Sequence, residues 1–289
     1  MRDVLTQVVS FDGLWELLPI ARQSILAGVI LGVIAGVVGP MIHARDLAFA
    51  VHGTSELSFA GAACALFLGH NVVGGGLIGS LLAASVFGLM GVRAKERNSV
   101  IGIILPFGLG LGVLFLALYR GRSSNKFGLL AGQIVAVDNA QLLALTAVAV
   151  AVLVILLPIW RPLFFASVDE QVAVARGVPV RTLSFVFMVV LGLAVAMTVQ
   201  LVGALLVMAM LITPSAAAAR VTARPAMLTL LSVVFGVFAM AAGIVLSLAP
   251  GLPISPYVTT ISFLIYLACR GIGAARGRRG WSQRPVPVA

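Results

Sequence analysis

The stretch Arg45-Asp-Leu-Ala-Phe-Ala-Val-His-Gly-Thr-Ser-Glu-Leu-Ser-Phe-Ala-Gly61 opens on a charged pair and runs on into an apolar segment, Ala60 to Gly69. Inside it, His52 and Glu56 stand at i and i+4 and therefore share one face of a helix. If Asp46 marks a membrane surface, the step to Glu56 is roughly 15 Å at about 1.5 Å per residue. That is near the middle of a hydrocarbon layer of about 30 Å. A carboxylate at that depth costs at least about 2.5 kcal/mol on insertion scales, and it is a functional candidate by default. An imidazole beside a carboxylate can ligate a divalent ion, which makes His52 and Glu56 the candidate metal pair. The competing reading is a polar pair that hydrogen-bonds a neighbouring helix and glues the bundle.

The composition around this stretch requires a membrane. Of 289 residues, 61% are hydrophobic and only 10% charged, where a soluble domain carries about 25% charged residues. Mean hydropathy is +1.15. Long apolar runs predict spanning helices; a barrel would alternate apolar and polar residues over short segments. The expected fold is an all-α polytopic bundle of eight to nine transmembrane helices in one domain, residues 1–289. The 31 glycines suit close helix packing in lipid. The formal net charge of +10 comes from arginines scattered through short connections and the C-terminal tail. They read as cytoplasmic loop anchors, not as a nucleic-acid surface. Cys64 and Cys269 lie in predicted spans and read as packed thiols.

Residues 1–21 mix charged residues with Phe11, Leu14, Trp15, Leu17 and Leu18, which predicts an interfacial segment and no signal peptide. Spans are expected at about Ile25–Ile42, Phe49–Leu68, Leu77–Val92, Val100–Leu118, Leu142–Trp160, Leu183–Val199, Leu201–Ala219, Met227–Leu248 and Tyr257–Arg270. Gly74-Gly-Gly76 reads as part of a turn, and Phe127–Val137 as a re-entrant or interfacial piece too short to cross. The most polar internal segment is 161–181, and Pro250–Pro256 is an uncharged turn. Arg276, Arg278, Arg279 and Arg284 put the tail, 271–289, in the cytoplasm. Counting back places Arg220 and Arg224, the 161–181 loop, Arg93–Arg97 and Arg45 inside as well. Arg120, Arg122 and Lys126 then fall outside, against the charge rule.

Three stretches resemble the membrane permease of bacterial zinc/manganese ABC importers. The opening stretch matches in place and length that family's Gly-Asp-x-x-Ser-His-Ala-x-x-x-Gly segment, ending at Gly61. Asp169-Glu-Gln-Val-Ala-Val-Ala-Arg-Gly177-Val-Pro179 looks like its Asp-Glu-x-x-Ala-x-x-x-Gly cytoplasmic loop. Val202-Gly-Ala-Leu-Leu-Val-Met-Ala-Met-Leu-Ile-Thr-Pro214-Ser-Ala-Ala-Ala218 is close to its Val-Gly-x-x-Leu-x-x-x-Met-Leu-Ile-x-Pro-Ala-Ala segment. Aligned on Gly61, the family's Asp falls on His52 and its His on Glu56, so residue types are kept in swapped order.

The resemblance implies a type II-like importer permease in the bacterial plasma membrane, with a path formed by a homodimer. It implies a cytoplasmic ATP-binding subunit in two copies and an extracellular or periplasmic metal-binding lipoprotein. Asp169, Glu170, Ala173 and Gly177 would belong to a helix coupled to the ATPase. Gly61, Gly203 and Pro214 would serve helix packing along the path. The cargo would be zinc, manganese or iron, with no permanently bound cofactor and no catalytic residue. The chain has no Gly-x-x-x-x-Gly-Lys-Ser/Thr loop, so ATP falls to a partner. Met208 and Met210 read as packing residues. Other readings are a proton-coupled secondary carrier, which would show inverted repeats, and a siderophore or cobalamin permease, which needs a wide cavity. An intramembrane metalloprotease would need His-Glu-x-x-His, and the three histidines do not form it.

Overall fold

The computed structural model describes residues 18–19, 21–90, 94–121, 126, 128–130, 132, 137–248, 250 and 253–281. Most of the expected interfacial segment 1–21, Arg93, Arg122, most of Phe127–Val137 and the last residues of the basic tail lie outside them. Among the described residues the structure is helical, with no strand. The helices are α1 (Arg22–Ala44), α2 (Ala48–Phe67), α3 (Val72–Leu89), α4 (Ala94–Leu118), α5 (Asn139–Val168), α6 (Glu170–Ala175), α7 (Val180–Val202), α8 (Val207–Ala219), α9 (Pro225–Leu248) and α10 (Ile254–Trp281). Seven of them, α1, α3, α4, α5, α7, α9 and α10, are long and apolar enough to cross a membrane.

The two remaining expected spans are informative. α2 has the length, 20 residues, but His52, Thr54, Ser55, Glu56 and Ser58 dilute its apolar character. It is tolerated because protein covers it: α3, α4 and α7 pack around it. α8 has only 13 residues, about 20 Å of helix against a layer of about 30 Å. It is lengthened by a 3₁₀ turn, Ala204–Leu206, that starts at Gly203. With these two, the described residues hold a helix at each of the nine expected spans, seven of them long and apolar enough to cross.

The bundle has two halves. α2, α3, α4 and α7 form one; α1, α8, α9 and α10 form the other; α5 packs on both α1 and α7. Close backbone approach sets the first half. A Cβ on Gly61 would lie 2.3 Å from the Gly75 carbonyl oxygen, and one on Gly79 would lie 2.2 Å from that of Leu57. Without a hydrophobic drive between helices in lipid, such van der Waals contact is what holds α2 to α3. Side-chain hydrogen bonds add to it: Ser58 Oγ donates to the Gly76 carbonyl at 3.0 Å, Ser80 Oγ to that of Gly192 at 2.7 Å, and Gln200 Nε2 to that of Val73 at 3.0 Å.

Several expected boundaries move. Gly74-Gly-Gly76 is not a turn but part of the first two turns of α3. The helix starts early because the Asn71 side chain caps it, accepting from the amides of Val73 and Gly74. α5 runs on through Pro158 and Pro162 to Val168, so the first part of the 161–181 segment is helix and not loop. α10 begins at Ile254, inside the expected Pro250–Pro256 turn, and continues to Trp281, into the basic tail. The expected span Leu201–Ala219 is broken: Leu201 and Val202 end α7, and Gly203 adopts φ 88°, ψ 155°.

Candidate metal path in α2

α2 carries the ionisable pair within its first three turns, on the face shared with Phe59. His52 Nδ1 lies 3.8 Å from Glu56 Oε1. The two side chains differ sharply in exposure, 34% for His52 and 3% for Glu56. His52 Nδ1 and Glu56 Oε2 are both buried without a hydrogen-bond partner. So the sequence pair is brought together, but only the histidine reaches the surface of the single chain.

α4 explains the difference. A Cβ on Gly108 would lie 3.2 Å from the Glu56 carbonyl carbon and 3.3 Å from its Cβ. One on Gly112 would meet the Phe59 ring at 2.3 Å. Two glycines four apart thus let α4 close over the Glu56–Phe59 edge of α2. Reasoning on α2 alone missed Gly108; the signal was the run of glycines in the α4 segment. Among the described residues no cluster of three or more His, Cys, Asp or Glu could hold a metal ion. Among the described residues, His52 and Glu56 are the pair one chain offers.

The corner at the start of α2, next to the pair, is tied to α7. The Arg45 guanidinium, just before α2, donates to Ser184 Oγ. Below it lies α6, formed as its sequence dictates. Asp169 caps it, its carboxylate accepting from the Val172 amide at 3.0 Å. Gly177, at φ 79°, closes it, with Val178 N donating to the Ala173 carbonyl at 3.0 Å. Ala173, one of the expected coupling residues, is turned inward and packs with Ala166, Val178 and Val180. The faces left open carry Glu170, Val172 and Val174, beside exposed Val168.

Of the expected packing residues, Gly61 sits in the α2–α3 contact and Gly203 forms the α7–α8 break. Pro214 is buried within α8, and Met210 is in the core, as a packing role requires.

Residues 18–271 match the family model described as "ABC 3 transport family". The chain belongs to that family. A curated relative, the manganese transport system membrane protein MntC of Halalkalibacterium halodurans, is 30% identical over 78% of this chain and 78% of its own length. The manganese import system permease protein ScaB of Streptococcus parasanguinis is 30% identical over 68% of this chain and 70% of its own. Among solved structures, PsaBC from Streptococcus pneumoniae in complex with Fab superimposes with a TM-score of 0.78 at 26% identity, over 89% of this chain and 93% of that one. This ABC 3 chain is thus a multi-pass plasma-membrane transport permease and not an enzyme.

Proposed function

We propose that this chain is the membrane subunit of an ATP-driven importer of divalent metal ions, and that two copies together form the path. The observation that carries the reading is the His52–Glu56 pair, set in a polar stretch of α2 that α3, α4 and α7 cover. The manganese relatives make manganese the first candidate cargo, with zinc and iron next. Nitrogen and oxygen donors of intermediate softness accept all three. Because the described residues of one chain supply two such side chains as a pair, a second copy facing the first would double the set. A carrier benefits from sparse coordination, since a closed four-ligand cage holds its ion too tightly for release.

The ATP-binding partner would dock on α6, where Val168, Val172 and Val174 stand exposed at a charged, capped helix end. A metal-binding lipoprotein would deliver the ion from the opposite side. In the reaction cycle the chain's own residues bind and release. His52 meets the ion, Glu56 lends negative charge behind it, and the packed α2–α3–α4 unit keeps lipid away from both.

The test is uptake of manganese, zinc and iron, each measured separately, by cells expressing the wild type or His52→Ala at matched membrane levels. Loss of uptake of one ion, with assembly on the ATPase intact, is expected and names the cargo. Unchanged uptake of all three would overturn the assignment of the path to α2.

A further inference from the structure

We infer that Glu56 is a positioning residue for His52, not a ligand of the transported ion, so that each subunit offers the ion one imidazole nitrogen. The inference rests on the reading of His52 as a contact point for the cargo and deepens it.

Four observations converge on this. First, exposure is divided unequally: a third of the His52 side chain is open, while Glu56 is closed off. Second, the ring is oriented. Nδ1 is the buried nitrogen and faces Glu56 Oε1 at 3.8 Å, and no other partner competes for it. The exposed edge of the ring is therefore the Nε2 edge. Third, Glu56 is walled by α4. A Cβ at Gly108 would come within 3.2 Å of the Glu56 carbonyl carbon and 3.3 Å of its Cβ, so the backbone of α4 lies directly against this residue. Fourth, no third His, Cys, Asp or Glu completes a closed site among the described residues.

The chemistry follows from the two distinct nitrogens of imidazole. A proton on Nδ1, directed at a carboxylate, fixes the tautomer and leaves the Nε2 lone pair pointing outward. A side-chain adjustment of under about 1 Å brings the pair to hydrogen-bond length, about 2.7–3.2 Å. The carboxylate then stiffens the ring and raises its basicity without touching the ion. Removing such a partner typically weakens metal affinity by about 10–100-fold. An amide in its place still accepts from Nδ1–H, so it keeps the orientation and loses only the charge.

The experiment uses the complete transporter, permease with its ATPase, in lipid nanodiscs for spectroscopy and in membrane vesicles for transport, with Mn²⁺ as the probe. Pulsed EPR reads the coupling of bound Mn²⁺ to imidazole ¹⁴N, and uptake reads KM and kcat separately. The expected result has three parts. Wild type and Glu56→Gln show the ¹⁴N coupling. Glu56→Ala loses it and raises KM by about 10–100-fold, with a smaller change in kcat. Glu56→Gln recovers most of that loss. Equal damage from Gln and Ala, as expected of a directly bound carboxylate, would overturn the inference. So would an unaltered ¹⁴N signal in Glu56→Ala. If Glu56→Ala does not assemble, Glu56→Gln decides alone: loss of its ¹⁴N coupling refutes the inference, and retention with near-normal KM supports it. Failure of the underlying reading looks different: His52→Ala then transports normally and the wild type shows no ¹⁴N coupling.

Discussion

Replacing Gly203 by alanine should destabilise the protein more than any other single-methyl addition in the α7–α8 region. At φ 88° and ψ 155° the backbone lies in a region that is essentially reserved for glycine. A side chain forced there costs about 1–3 kcal/mol. The methyl would also lie 2.3 Å from the Leu130 carbonyl oxygen and 2.7 Å from Gly132 N, both backbone atoms that cannot rotate away. Overpacking of that kind costs about 1–3 kcal/mol again. The two effects together reach about 2–6 kcal/mol, a large part of a stability of about 5–15 kcal/mol. The assay is thermal unfolding of the purified permease in mild detergent, with Gly110→Ala as the control. Gly110 lies inside α4 with open space where its Cβ would be, so alanine there should be neutral or gain about 0.5–1 kcal/mol. Melting of the two variants within about 1 °C of each other would refute the reasoning. It would mean that α7 and α8 are not separated by a left-handed residue.

Gly61→Val places atoms where the Gly75 carbonyl stands, so α2 and α3 must part, at about 1–3 kcal/mol; melting temperature and metal uptake should both fall. Asp169→Ala removes the cap of α6, worth about 1 kcal/mol locally, and should lower uptake with little change in global melting, while Asp169→Asn retains function. Val172→Glu puts a charge on the open face of α6; co-purification of the ATPase should fall while the permease melts as before. Arg45→Ala removes the tie to Ser184 and, as a hydrogen bond to a charged group, should cost about 1.5–3 kcal/mol, read as a lower melting temperature.

How far the sequence carried the structure depends on the physics of each feature. The long helices were legible because lipid imposes long apolar runs, and even polar α2 declared itself as a helix by length and by its Arg45–Asp46 edge. Helix α6 was legible down to its cap and its terminator, since Asp169 and Gly177 act locally. The α3 start was missed because three glycines look like a turn, and only the Asn71 cap and the apposed Gly61 show why they are helical. The inward side of Ala173 was not legible, because on a helix of six residues burial is decided by the neighbours, here Ala166 and Val180. For the His52–Glu56 pair, spacing gave the shared face. It could not give their unequal exposure, which is set by a glycine on another helix, Gly108.

That last point bears on how energy from outside the membrane core can reach the pair. α6 is seated through Ala173 on Val178 and Val180, the entry to α7. One turn further along α7, Ser184 holds Arg45 at the entry to α2. α2 in turn is locked to α3 and α4 by backbone contacts too close to slide freely. Displacing α6 therefore displaces the start of α7, and through the Arg45–Ser184 tie it pulls on the end of α2 nearest His52. Since packed helices shift between discrete arrangements and do not deform continuously, such a pull acts on α2 together with its close-packed neighbours. On the proposed coupling of α6 to an ATPase, what a stroke would change is the surroundings of the exposed His52 edge. The Glu56 side, packed against Gly108, would move with its helix and, in the positioning role inferred for it, keep the ring aimed while access around it alters.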